Sequence, residues 1–132
     1  MNILIVIIGS LSILMITSFL IKKILKTETP FLVVMSGSMK PALRKGDILI
    51  ISNRNTKRHE IGDIIIFKDI KEGTLISHRI KKVEKEGEKI LITTKGDASC
   101  IPDRGYIKPE DIIGRVIFKI PWIGYLRTSK QD

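Results

Sequence analysis

Thr74-Leu-Ile-Ser-His-Arg-Ile-Lys-Lys-Val83 and Lys89-Ile-Leu-Ile-Thr-Thr94 flank a charged, glycine-bearing stretch, Glu84-Lys-Glu-Gly-Glu88. Two β-prone arms around residues that favour a chain reversal predict a β-hairpin. Other runs share that character. Phe31-Leu-Val-Val34 follows Pro30, and Ile48 to Ser52 follows the charged turn Arg44-Lys-Gly-Asp47. A polar loop, Asn53 to Glu60, leads to a second Gly-Asp at Gly62-Asp63 and then to Ile64 to Phe67. Ile112 to Ile120 supplies a last strand before Pro121. Beyond Ile24 no stretch keeps a long 3.6-residue apolar period, so the expected fold class is mainly β. There is no internal repeat. The two Lys-Gly-Asp triplets, at 45–47 and 95–97, read as one turn preference used twice.

The amino-terminal part is different. All 23 Lys+Arg and 14 Asp+Glu of the 132-residue chain follow Ile21, and 15 of the first 21 residues are apolar. As a helix, 21 residues span roughly 30 Å, the thickness of a bilayer's hydrocarbon core. The hydroxyls of Ser10, Ser12, Thr17 and Ser18 can bond back to the helix's own carbonyls. A cleavable leader would have a shorter apolar region, a basic start and a small-residue cleavage site, none of which is present. One transmembrane helix with its basic flank (1–25), followed by a β-rich domain (26–132), is therefore expected. The short polar tail ending at Asp132 predicts no second span. Lys22, Lys23 and Lys26 would hold the domain in the cytoplasm by the positive-inside rule, but long segments translocate regardless of charge, so charge leaves the sidedness open.

Composition excludes several classes. Ile-rich runs exclude a wholly disordered chain, and a single cysteine, Cys100, excludes a disulfide scaffold or a multi-cysteine zinc site. The formal net charge is +9. Its basic residues fall in separate clusters (Lys22/Lys23/Lys26, Arg54/Lys57/Arg58, Lys81/Lys82/Lys85) without interleaved aromatics or a helix-turn-helix pattern, which argues against nucleic acid. Attraction to anionic lipid headgroups beside the anchor is the simpler reading.

Chemistry centres on Val34-Met-Ser-Gly-Ser-Met-Lys-Pro41. Glycine between two serines lets the backbone bend so that a hydroxyl projects while neighbouring N–H groups converge. A serine nucleophile needs a base. His59 sits in a polar loop among charged residues, where a solvated role is expected. His78 shares an alternating face with Ile76 and Ile80, a position that on residue type alone better suits a core-edge histidine satisfied by one hydrogen bond. Asp97 or Asp103, in Thr94-Lys-Gly-Asp-Ala-Ser-Cys-Ile-Pro-Asp-Arg-Gly105, could orient its imidazole. Cys100 lacks a neighbouring base and reads as a buried or tolerated thiol.

Taken together, Ser-Gly-Ser-Met-x-Pro, Gly-Asp before an Ile-rich strand, Ser-His-Arg-Ile, and Lys-Gly-Asp with Asp-Arg-Gly following resemble signal peptidase I, in its Ser-His branch. The order and spacing match from about Phe31 to Tyr125, and the anchor matches too. The resemblance implies a membrane-bound serine endopeptidase that removes signal peptides from exported preproteins. It assigns Ser38 as nucleophile, His78 as general base and Asp103 as third triad member, with Asp97 in support and Ser36 contributing to the oxyanion hole. It implies no metal or organic cofactor. Its partners would be signal peptides and the bilayer, with any partner subunits unspecified. The catalytic domain would face the extracytoplasmic side of the cell membrane, and pockets would favour small side chains at the first and third positions before the cut. Ala98-Ser99 stands where relatives often carry Asn, so no amide role is expected there. About 16 residues separate Lys22 from Ser38, a reach of at most roughly 55 Å, which keeps the nucleophile near the bilayer surface. The rival readings are a self-cleaving, repressor-type Ser-Lys peptidase and a non-catalytic, membrane-tethered β-domain subunit.

Overall fold

The structure, a computed structural model, describes residues 2–54 and 58–121. The tail after Pro121, and Lys57 of the second basic cluster, lie outside the described residues. Helix α1 (Ile3–Leu25) is followed by β1 (Phe31–Val33), β2 (Ile48–Ser52), β3 (Ile64–Lys68), β4 (Leu75–Glu86), β5 (Lys89–Lys95) and β6 (Ile112–Ile120). The expected class is therefore observed: a mainly β domain behind one apolar helix long enough to cross a membrane.

Within α1 the mean hydropathy reaches 2.6, and no residue is buried. Ser10, Ser12 and Thr17 donate to carbonyls three or four residues back, so no hydroxyl among these three needs an outside partner. The helix ends where Lys26 adopts a left-handed conformation and its N–H returns to the Lys22 carbonyl. The domain docks on this end: Leu25 O accepts hydrogen bonds from Asn53 N (2.8 Å) and Ser52 Oγ (3.3 Å) at the end of β2.

The strands form one antiparallel sheet in the order β1-β2-β6-β3-β4-β5. β3 shows why its sequence is apolar without alternation. Ile66 packs with Met39, Leu43, Leu49 and Ile51 on one face, while Ile65 and Phe67 pack with Ile80, Ile92 and Ile112 on the other. A strand covered on both faces has no polar side. β4 is long because it serves two partners: Leu75 to Arg79 pair with β3, and Arg79 to Glu86 pair with β5 across a bulge at Ile80–Lys82. The hairpin reversal is tighter than its sequence suggested. Strand pairing continues to Glu86↔Lys89, and Gly87 at φ +63° takes the first of two turn positions, as a type II′ turn requires. A 3-10 turn at Pro109–Asp111 precedes β6.

Candidate active site

The serine-rich turn hangs between β1 and β2. Its frame is set by Asp47, whose buried carboxylate accepts from Arg44 N (2.9 Å), and by two main-chain bonds, Val34 N to Asp47 O and Gly46 N to Val34 O (both 2.8 Å). Met39 and Leu43 sink into the first core cluster at 1% and 2% exposure. Burying two large apolar side chains is worth roughly 3–6 kcal/mol, enough to fix the serines that precede them. Lys40–Pro41 is a cis peptide. Ser36 Oγ and Ser38 Oγ lie 3.2 Å apart.

His78 projects from β4, paired with Ile65 of β3. Its ring meets the edge of Phe67, with centroids 6.2 Å apart at 75°. Nδ1 lies 2.5 Å from Asp103 Oδ2, so a neutral ring protonated at Nδ1 donates to that carboxylate and leaves Nε2 as the acceptor. The same Asp103 oxygen accepts from Thr94 Oγ1 at 2.7 Å, and Thr94 is only 1% exposed. Asp103 is held in turn by its own N–H on Thr94 O (2.8 Å). Ser36, Ser38 and His78 line one cavity of about 660 Å³, whose apolar lining includes Leu32, Val34, Leu49, Ile66 and Ile76. Among the described residues, Ser38 Oγ bonds Ser36 Oγ and makes no hydrogen bond to the imidazole. Catalytic hydrogen bonds are often long before substrate closes the site.

Asp97 does not reach His78. Its carboxylate takes Arg79 Nε (2.9 Å) and Nη2 (2.7 Å) in a two-pronged pair, and Arg79 Nη1 also donates to Gly62 O. The Arg79 hydrogen bonds, followed by its charge, hold Asp97 below the ordinary carboxylate range against the opposing effect of burial. The neighbours His78 and Arg79 thus engage two different aspartates from opposite faces of β4. A carboxylate whose pKa is depressed by folding adds stability above its unfolded pKa and loses it as pH falls through the folded value. The Arg79–Asp97 contribution is therefore complete at neutral pH and disappears on acidification below the carboxylate range. Asp97→Asn should cost about 2–4 kcal/mol at pH 7, a deficit that shrinks when thermal unfolding is repeated near pH 3.

Gly96 corrects the reading of the triplets as one repeated turn. Gly46 has φ +97°, whereas Gly96 is not left-handed; its need is for space. A Cβ there would lie 2.7 Å from Ser38 O and 3.1 Å from His78 Nε2. Ala98 N donates to Ser38 O (2.9 Å), and Asp97 N donates to Met39 Sδ (3.4 Å). The Lys-Gly-Asp-Ala loop is thereby seated directly on Ser38 and Met39. Ala98 acts through its main-chain N–H, so the absent amide side chain is no loss for this contact. Lys95 Nζ ties the loop by donating to Gly96 O (3.3 Å) and to Ser99 O. Gly96→Ala should lower turnover at least about 10²-fold, because misplacing reacting groups by about 1 Å has that effect. Steady-state kinetics beside a thermal melt will separate this loss from unfolding.

Of the residues singled out from sequence, Ser36, Ser38 and His78 meet around the cavity, Asp103 joins them through His78 Nδ1, and Asp97 braces its loop through Arg79. His59 is half-buried, not fully solvated, and lies in a recess with Asn53, Ile112 and Gly114. Cys100 is exposed. Thr94, Gly96 and Met39 were not assigned roles from sequence. The glycine in Lys-Gly-Asp and the methionine after Ser38 were visible signals; nothing in the sequence marks Thr94. Among the described residues no cluster of three metal-ligating side chains occurs.

The Peptidase S24-like family model matches residues 14–117. The chain is 37% identical over 111 residues to the signal peptidase complex catalytic subunit SEC11 of Candida tropicalis, covering 78% of this chain and 66% of that one. It is 34% identical over 128 residues to SEC11 of Pyricularia oryzae (88% and 74%). With the human signal peptidase complex catalytic subunit SEC11C it shares 35% over 114 residues (80% and 59%). The chain thus spans about two thirds of the length of these relatives.

Proposed function

The chain belongs to the S24-like peptidases, in their signal peptidase I-type group, and we propose that it is a membrane-anchored serine endopeptidase that cuts signal peptides from exported preproteins. The observation that carries this reading is that His78, paired through Nδ1 with Asp103, lines the same cavity as Ser38. In the mechanism, His78 Nε2 takes the Ser38 proton as Oγ attacks the scissile carbonyl. The imidazolium, steadied by Asp103, gives that proton to the departing amine, and water then resolves the acyl-enzyme by the same route. Ser36 Oγ lies 3.2 Å from Ser38 Oγ; in this proposal it donates to the oxyanion, an interaction worth roughly 3–4 kcal/mol in other hydrolases.

The substrate strand has a place to lie. β1 is an edge of the sheet, and β4 finds no β5 partner before Arg79. Leu32 to Met35 and Thr74 to Ser77 both border the Ser38 cavity. An extended peptide can add to the edge of β1 as a strand, with its small side chains in the apolar lining. With α1 in the bilayer, the domain faces the extracytoplasmic side, where signal peptide cleavage sites emerge. The relatives' names describe subunits of a complex, so the test uses two settings. The full chain, purified in detergent or reconstituted in vesicles, is mixed with a labelled preprotein, and product masses are read. Cleavage after the signal peptide supports the proposal. A folded chain that leaves the preprotein intact in both settings, and in membranes of its own cell, refutes it and favours a binding subunit.

A further inference from the structure

At the junction of helix and sheet lies a cavity of about 790 Å³ that the proposed peptidase chemistry does not use. Phe19, Lys22, Lys23 and Lys26 line it from α1 and its cap. Their spacing of 3 and 4 residues from Phe19 puts Lys22 and Lys23 on its helix face, and the cap residue Lys26 lines the same cavity. Thr27, Asn53 and Ile113 close it from the domain side. We propose that this cavity is a binding site for the phosphate headgroup of an anionic phospholipid, with Phe19 and Ile113 against the start of its acyl chains.

Charge supports this. The cavity holds three lysines against one carboxylate, Glu28, whose only ion pair among the described residues is a loose 3.8 Å contact with Lys22. Lys23 and Lys26 have no ion-pair partner among the described residues. The helix end does not consume them either, because the Leu25 carbonyl is satisfied by Ser52 and Asn53 and the Lys22 carbonyl by Lys26 and Thr27. Depth supports it as well. Lys22 and Lys23 lie about one helical turn, roughly 5 Å, beyond Phe19, the distance that separates acyl chain from phosphate at a bilayer surface. Docking of β2 on Leu25 makes the site a wedge, distinct from a bare basic helix end. The inference rests on α1 being a membrane span, and it holds for either sidedness.

The test is lipid retention by the full chain, read by native mass spectrometry and thermal shift, after reconstitution in phosphatidylcholine vesicles with and without phosphatidylglycerol. Wild type should retain one phosphatidylglycerol through detergent extraction and melt higher with it. K22Q/K23Q/K26Q should lose retention at least tenfold, whereas K82Q/K85Q/K89Q, with the same loss of charge on the distant hairpin, should keep it. Gln matches Lys in helix propensity, and a melt in neutral lipid checks folding; the single variant K26Q, expected to weaken retention, serves if the triple variant is unstable. Equal loss in both triple variants would reduce the effect to diffuse electrostatics and overturn the site, as would equal retention of phosphatidylcholine. An equal shift from inorganic phosphate alone would overturn the lipid as ligand. Failure of the chain to float with neutral vesicles would overturn the span itself, an outcome separate from the others.

Discussion

His78→Ala is expected to reduce preprotein cleavage on the order of 10⁶-fold, whereas Lys81→Ala and Lys82→Ala leave it within a few-fold of wild type. Loss of the base in a Ser-His-Asp site removes nearly all catalysis beyond binding and oxyanion stabilisation. His78 Nδ1 is committed to Asp103 at 2.5 Å, and Nε2 borders Gly96 beside Ser38. Lys81 and Lys82 are exposed on β4, and Lys82 pairs with Glu84 at 2.6 Å. A Ser-Lys mechanism of the repressor type would reverse the outcome, since it needs an ammonium that loses its proton near the serine. The hydrogen bond and charge of Glu84 instead raise the Lys82 pKa, so its ammonium holds the proton more firmly.

Asp103→Asn should lower turnover about 10⁴-fold with little change in substrate affinity, the scale set when a triad aspartate becomes an amide and the imidazole adopts the wrong tautomer. The structure separates this from Asp97→Asn. Asp103 touches the imidazole, so its replacement acts on the chemical step and should melt near wild type. Asp97 grips Arg79, so its replacement acts first on stability, and activity follows only as the loop slackens. Measuring kcat, KM and a melting curve for both variants places each aspartate. Equal stability losses with equal kinetics would contradict the division.

The strands were legible because their apolar runs are short, β-branched and bounded by glycine or proline. Each predicted run became a strand, and the errors were of extent. β4 runs on through Glu84-Lys-Glu86 because Gly87 alone provides the turn's unusual conformation. The apolar helix was legible because Met1 to Ile21 carries no charge, though the helix continues through Lys22 and Lys23 to Leu25. The site was harder to read. Asp97 and Asp103 lie in one loop, and spacing alone does not reveal which carboxylate crosses to His78 and which turns to Arg79. Gly96 looked like a second copy of Gly46 because the triplets are identical, yet one glycine serves a backbone angle and the other the close approach of Ser38 and His78. Thr94 is a buried threonine in an ordinary strand, and only the folded hairpin brings its hydroxyl to Asp103.

The central claim is that Ser38 carries the acyl group. A peptide ester ending in the residues before a signal cleavage site is turned over by the reconstituted chain, quenched in acid and mapped by mass spectrometry. The account predicts the acyl mass on the peptide containing Ser38, persisting longer in Asp103→Asn and absent from Ser38→Ala. Turnover with the acyl mass on Ser36 or Cys100, or turnover undiminished in Ser38→Ala, would contradict it.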